Sequence, residues 1–231
     1  GKRGRQMTLV TAAQGKDFVV AGTDSRGTFG HPEVAYSAYD TMQKLVILTP
    51  HVSVLTYGAG EVGDNILEEF KRERLQQQDG PLDGVSDILR ELQRYCLDKW
   101  NQWLVNVPFQ ARPIIGYIVA GLDKDSQDKY RVPKIYSMIS ALGFMPAFHR
   151  YGWANGGIPI YAIYLYGRRY KSDMSLDELT GLSAYVISET ASQDQRVGGP
   201  IRMVQIQPEG CKELSEERIK ELLDRYKGRN P

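Results

Sequence analysis

Thr8–Arg26, TLVTAAQGKDFVVAGTDSR, decides how the rest of the chain is read. Two short apolar runs, Thr8–Ala13 and Phe18–Thr23, flank Gln14-Gly15-Lys16-Asp17, whose glycine and aspartate suit a tight hairpin turn. The second run ends on Asp24-Ser25-Arg26, a polar cluster at the mouth of an apolar hairpin. Polar groups there are costly to bury without partners, so Thr8 and Asp24, at the hairpin's two free ends, are expected to be neighbours.

That neighbourhood points to one chemistry. A threonine hydroxyl is a poor nucleophile unless a base stands beside it, and a threonine at a chain's own N-terminus carries that base as its α-amine. The amine's ordinary pKa of about 7.7–8.0 lies where a general base works best near neutral pH. A carboxylate and a cation must hold and tune the pair. Asp24 supplies the first, and Lys44, in Met42-Gln43-Lys44-Leu45-Val46, is the candidate for the second.

These residues resemble the start of a proteasome β-type subunit, the threonine branch of the N-terminal nucleophile hydrolases. In that family a Thr-led strand, a Lys-Asp turn, an apolar strand and an Asp-x-Arg follow with the spacing seen from Thr8 to Asp24 and Arg26. Lys44-Leu45 resembles the family's catalytic lysine. Gly58-Ala59-Gly60-Glu61-Val62-Gly63-Asp64 resembles its oxyanion-hole loop opening the first helix, and Ser192–Gly199 its second aspartate loop, around Asp194. The resemblance spans most of the chain; the first segment and the Asp194 loop are its specific parts.

The resemblance implies an α+β fold, a four-layer αββα sandwich, and threonine endopeptidase chemistry with no metal or organic cofactor. Thr8 Oγ1 would attack the scissile carbonyl while its amine accepts the proton. Asp24 would orient and charge Lys44, whose cation lowers the pKa values around the nucleophile, and Asp194 would join the outer hydrogen-bond network. The Gly60 amide, at a helix N-terminus, would face the developing oxyanion. Gly27, Thr28, Met42, Gly58 and Val62 match positions that shape the family's substrate pocket, and small glycines with apolar neighbours would admit a sizeable apolar side chain. Two positions depart from the pattern: Asn155 and Val197 stand where the family usually has serines that carry protons. Asparagine hydrogen-bonds without relaying a proton as a hydroxyl does, and valine does neither. Taken without that context, Thr8 reads as an ordinary β residue, Lys44 as an exposed strand-edge lysine and Asp194 as a loop cap.

The implied substrate is a peptide or unfolded protein, and the implied assembly a ring of identical subunits; nothing in the residues names an ATPase partner. Two other functions fit the same fold: a peptide ligase, in which an amine replaces water in deacylation, and a catalytically silent ring or scaffold subunit. Gly58–Gly63 also matches the G-x-G-x-x-G dinucleotide fingerprint. That motif needs a second parallel strand ending in an acid roughly 20 residues on, whereas Asp79 sits in a helix break followed by another helix.

Composition sets the remaining bounds. The 231 residues show no compositional break or long Pro/Gly/Ser linker, so residues 8–231 read as one domain. Hydrophobic residues at 42% and charged ones at 25% are globular values, and a net charge of +1 gives no reason to expect nucleic acid or an anionic membrane. The longest apolar run, Ile158–Tyr166, is too short to cross a bilayer, and no signal-peptide pattern is read before the first strand. Cys96 and Cys211 match no metal spacing and fit buried thiols in a reducing cytoplasm. His31, His51 and His149 lie scattered in loop-like segments, away from any metal or triad pattern, and Trp100 and Trp103 read as packing residues.

Residues 1–7, GKRGRQM, are basic and patternless and read as a leader. Thr8 can use its own nitrogen only once the Met7-Thr8 bond is cut, by self-processing as the resemblance implies, or by removal of Met7 as an initiator methionine if the six residues before it are a cloning remnant. Beyond the hairpin, Gly27–Thr41 reads as irregular, and Lys44–Thr49 and Val52–Tyr57 as strands turning at Pro50-His51. A helix is expected over Gly60–Gln78, then a break at Asp79-Gly80-Pro81 and a second helix from Val85 to about Leu104. Strands follow at Ile114–Gly121 and Lys134–Ser140 around an exposed turn, Asp123–Arg131. Ala141–Gly157 fits no pattern, and Ile158–Tyr170 suits helix or strand. Ser175-Leu176-Asp177-Glu178 is a capping box opening a helix that leads to Asp194. Ile201–Gln207 is expected as a strand and Ser215–Tyr226 as a last amphipathic helix.

Overall fold

The protein is described from a computed structural model, which covers residues 8–29, 37–75, 82 and 84–229. In chain order the strands before the first helix are β1 (Leu9–Gln14), β2 (Val19–Thr23), β3 (Gly27–Phe29), β4 (Ser37–Tyr39), β5 (Leu45–Thr49) and β6 (Val52–Gly58). Helices α1 (Gly60–Phe70) and α2 (Val85–Trp103) follow, then β7 (Ile115–Lys124), β8 (Tyr130–Ile139), β9 (Ala147–Phe148) and β10 (Trp153–Gly157). The chain closes with α3 (Ile160–Arg169), α4 (Leu176–Gln193), β11 (Arg202–Gln207), β12 (Gly210–Glu213) and α5 (Glu216–Arg229).

Two five-stranded antiparallel sheets stack face to face, ordered β10-β1-β2-β11-β12 and β5-β6-β7-β8-β9. Side-chain alternation makes three cores out of them. In β1 and β2, Val10, Ala12, Val19 and Ala21 point inward and meet Leu55, Ile118 and Ala120 of the second sheet. Leu9, Ala13 and Val20 point outward and pack under α4 with Leu182, Val186 and Ile187. On the other side Val52, Val54 and Val119 pack under Ile66, Leu67 and Phe70 of α1 and Ile88, Leu92 and Cys96 of α2. Strands buried on both faces read as continuous apolar runs, which is why the hairpin shows no polar alternation. The architecture is the expected αββα sandwich.

The hairpin closes where expected, with the Gly15 amide donating to the Phe18 carbonyl at 2.9 Å. Ser175 caps α4, its hydroxyl and the Glu178 carboxylate each taking up the other's backbone amide. The helix expected from Gly60 runs as α1 and continues in a wider π-type turn over Lys71–Leu75; residues 76–78 of the expected span and the expected break at 79–81 lie outside the described residues, as do residues 1–7, expected as a leader.

Several expectations are corrected. Gly27–Thr41 is not wholly irregular, because β3 pairs with β4. The turn expected over Asp123–Arg131 is shorter: β7 and β8 pair out to Lys124 and Tyr130, their charged ends reaching solvent on paired backbone. Ile158–Tyr170 resolves as α3, with Ala162 and Tyr166 buried beneath it. The patternless Ala141–Gly157 yields β9 and β10, and β12 appears between the expected strand and last helix. The dinucleotide alternative fails on topology, since β6 leads through α1 and α2 to an antiparallel neighbour, β7. Among the described residues no helix is long and apolar enough to cross a membrane.

Candidate active site

Thr8 stands just ahead of β1 and Asp24 just beyond its partner β2, so the antiparallel register brings them together; the Asp24 amide donates to the Leu9 carbonyl at 3.3 Å. The Thr8 hydroxyl donates to Asp24 Oδ1 at 2.5 Å. Lys44 arrives from the other sheet, immediately before β5, and its Nζ donates to Thr8 Oγ1, to Asp24 Oδ1 at 2.7 Å and to the Arg26 carbonyl at 2.6 Å. Thr8, Asp24 and Lys44 are 5%, 0% and 3% exposed, so this triangle is closed to bulk water.

Charge at that depth needs compensation. The Asp24 carboxylate has it: Oδ1 accepts from the Leu9 amide at 3.0 Å and Oδ2 from the Gly198 amide at 3.0 Å, beside Lys44 and the Thr8 hydroxyl. For Lys44, burial lowers the ammonium's pKa, opposed by Asp24 and, at longer range, by Asp40 and Asp64. The surrounding carboxylates favour the ammonium form against that burial. With its hydroxyl oxygen beside that cation, Thr8 can develop negative charge at lower cost than in water.

Other expected residues are placed differently. The Asp194 carboxylate turns to Arg196, accepting from its Nε at 2.7 Å and its Nη2 at 2.5 Å, and the arginine holds it below the usual carboxylate range. Its loop reaches the site through backbone instead, by the Gly198 amide on Asp24 and by the Gly198 carbonyl, which accepts from the Ser25 amide at 3.1 Å. Arg26 ties the same loop down, donating to the Gln195 carbonyl at 2.8 Å and pairing with Asp40 at 2.8 Å. Val197 is buried in the outer core under α4.

Asn155 lies opposite Thr11 in the β1–β10 ladder, three positions along from Thr8. Directly paired residues share a face, and the Thr11 hydroxyl points at Tyr166 of α3, so Asn155 faces the helices. Its Nδ2 and Oδ1 are buried without hydrogen-bond partners among the described residues, and it is not part of the Thr8 cluster. The β10 residue beside Thr8 is Gly157, at φ +87°, where an added Cβ would sit 1.8 Å from the Thr8 carbonyl oxygen. That carbonyl accepts from the Ile158 amide at 2.8 Å. Gly157→Ala is therefore expected to destabilise the protein by about 2 kcal/mol or more and to displace Thr8, measured as a lower thermal midpoint with reduced reactivity of the threonine.

The pocket candidates are spread along neighbouring segments. Gly27 is buried in β3, which also carries Thr28. Met42 is half-buried, its amide donating to the Ser25 carbonyl at 3.0 Å. Val62 packs partly into the core beneath α1. Gly58 has a backbone reason for its identity: at φ +90° a Cβ would stand 2.3 Å from the Ile114 carbonyl oxygen. Gly60 opens α1. A cavity of about 740 Å³ lies elsewhere, between α3, α4 and α5, lined by Arg168, Lys171, Asp177 and Arg225 among others, and contributes nothing to the threonine cluster.

His51 stacks on Tyr130 with ring centroids 3.7 Å apart, and His149 bonds Ser137 Oγ at 2.8 Å; His31 lies outside the described residues. Trp100 packs in the core and Trp103 is 37% exposed. The residue that sequence reading missed is Asp64, a half-buried carboxyl on α1. Its only signal was its place in the glycine loop.

No family model matches the chain. It is 26% identical over 209 residues to proteasome subunit beta 1 of Thermococcus kodakarensis, covering 90% of this chain and 93% of that protein. It is 24% identical over 215 residues to proteasome subunit beta of Archaeoglobus profundus, covering 90% and 88%. Similarity along nearly the whole of both sequences, on the sandwich described above, relates the chain to proteasome β-type subunits.

Proposed function

We propose that the protein is a threonine-type peptidase, a proteasome-like ring subunit whose nucleophile is Thr8 once the Met7-Thr8 bond is cut. The observation that carries this reading is the meeting of the Thr8 hydroxyl, Asp24 and Lys44 in one buried triangle assembled from two sheets. In the reaction, Oγ1 adds to the scissile carbonyl carbon and its proton passes to the freed Thr8 amine. The amine hands that proton to the leaving nitrogen as the C–N bond breaks, leaving an ester on Thr8. Water adds to the ester, the peptide acid departs, and the hydroxyl is restored. Lys44 stabilises the threonine oxygen while it carries negative charge, Asp24 holds Lys44, and the Gly60 amide faces the carbonyl oxygen. Gly27, Thr28, Met42, Gly58 and Val62 line the approach for an extended peptide, and the subunits form a homo-oligomeric ring.

A silent ring subunit is the second reading, favoured by Asp194 being occupied by Arg196 and Val197 being buried among apolar side chains. A peptide electrophile directed at N-terminal threonine separates the two: one adduct on a chain that begins at Thr8 supports the peptidase, and a processed chain that gains no mass supports the silent subunit.

A further inference from the structure

One half-buried acid near this centre has no part in the mechanism above. Thr56 of β6 lies beside Lys44 in the ladder: Leu45 pairs with Leu55, and the Thr56 amide donates to the Lys44 carbonyl at 2.8 Å. From there the Lys44 side chain runs to the other sheet, its Nζ meeting Thr8 and Asp24, while the Thr56 side chain turns to α1. The first turn of α1 presses onto Thr56, leaving Gly63 no room for a Cβ, which would meet Thr56 Cγ2 at 2.6 Å. Asp64 follows on the same helix. Its Oδ1 and the Thr56 hydroxyl are both buried without hydrogen-bond partners among the described residues. The hydroxyl favours the charged carboxylate by proximity, outside hydrogen-bond geometry.

We propose that Asp64 is a positioning residue for the Thr8 centre, a carboxylate set behind Lys44 across Thr56 that holds the lysine as an ammonium ion and releases that hold on taking up a proton. The proposal rests on the peptidase reading for its use, although its electrostatics stand apart from it. The groups facing Asp64 are Lys44, Thr56 of β6, Tyr117 of β7 and, on its own helix, Glu61 and Glu68; Asp24 and Asp40 face Lys44 from the other side. Burial pushes the Asp64 carboxyl up to about 6, and Glu68 and Glu61 add to the rise against Thr56 and Lys44. Because the folded value lies above the ordinary carboxyl value of 3.8, the protonated form is the one the fold prefers. Its contribution is complete below that ordinary value and lost as pH rises through about 6. At neutral pH the Asp64 charge therefore weakens the fold while supporting the lysine.

The test uses the full chain with Asp64→Asn and, as a second neutral variant, Asp64→Ser. Lys44 is titrated by its 13Cε NMR shift, assigned with Lys44→Arg. Both variants are expected to raise the Lys44 acid dissociation constant by about three- to tenfold. The asparagine variant is expected to melt above wild type at pH 7.5, with the gain shrinking towards pH 4.5. The alkaline limb of the peptide-hydrolysis profile should move to lower pH. An unchanged Lys44 titration in both variants, or no gain at pH 7.5, overturns the proposal. A shifted Lys44 titration in a processed protein that hydrolyses nothing upholds it and removes the peptidase reading instead.

Discussion

Thr8→Ala is expected to leave the leader attached and to reduce peptide hydrolysis by at least about a thousandfold, without lowering the thermal midpoint. The size follows from what the hydroxyl does in the proposed reaction: it is the atom that bonds to the carbonyl carbon, so removing it leaves only positioning by the surrounding dipoles. The tolerance follows from the geometry. The Thr8 hydroxyl donates to Asp24 and accepts from Lys44; with it gone, Lys44 keeps Asp24 and the Arg26 carbonyl, and Asp24 keeps Lys44 and the Leu9 and Gly198 amides. Intact-mass measurement of wild type and variant reads the first part. Loss of residues 1–7 only when Thr8 is present establishes self-cleavage, whereas loss in both chains assigns the cut to another protease. A Thr8→Ala chain that behaves like wild type in mass and turnover would sink the peptidase reading.

Lys44→Met should be the most damaging single change to the fold of the site. Asp24 and Lys44 form an ion pair at 2.7 Å with side chains 1% and 3% exposed. Removing one member of such a pair leaves the other as an uncompensated charge and costs about 3–5 kcal/mol. For a domain of this size that is roughly 10 °C in thermal midpoint. Hydrolysis should fall by at least about a hundredfold, because the threonine oxygen loses the cation beside it. The double variant Asp24→Asn, Lys44→Met separates the two effects: it should recover much of the lost stability and none of the activity. If the single lysine variant melts like wild type, the pair is not the buried contact described above.

How much was legible in the sequence depended on how local each signal was. The Thr8–Asp24 hairpin was readable because a turn sequence and two apolar runs fix a register, and the register fixes neighbours. The α4 cap and the apolar stripes of α2 were readable for the same reason, since their partners lie within four residues. Lys44 was a candidate cation on chemistry and gained its place by resemblance, because no spacing rule announces a contact made across two sheets. The face taken by Asn155 was not legible because its orientation is set by pairing with β1, and β10, glycine-rich and only five residues long, carries no alternation from which to read a face. The partner of Asp194 was not legible either: it is Arg196, two residues away, that the loop brings back onto it. The α3 segment was ambiguous because its aromatic and β-branched residues suit strands while its length suits a helix. Asp64 gave no sign of its burial, which depends on how closely the small Gly63 lets α1 approach Thr56.

Thr8 and Asp24 belong to one layer and Lys44 to the next, and the slab of mainly aliphatic side chains between them carries no helix and no covalent tie among the described residues. Competence in the proposed reaction is therefore a vernier of how the layers are stacked. A slide of a single ångström, too slight to register as melting, would part an ammonium from its threonine and switch the chemistry off in a molecule that still looks folded.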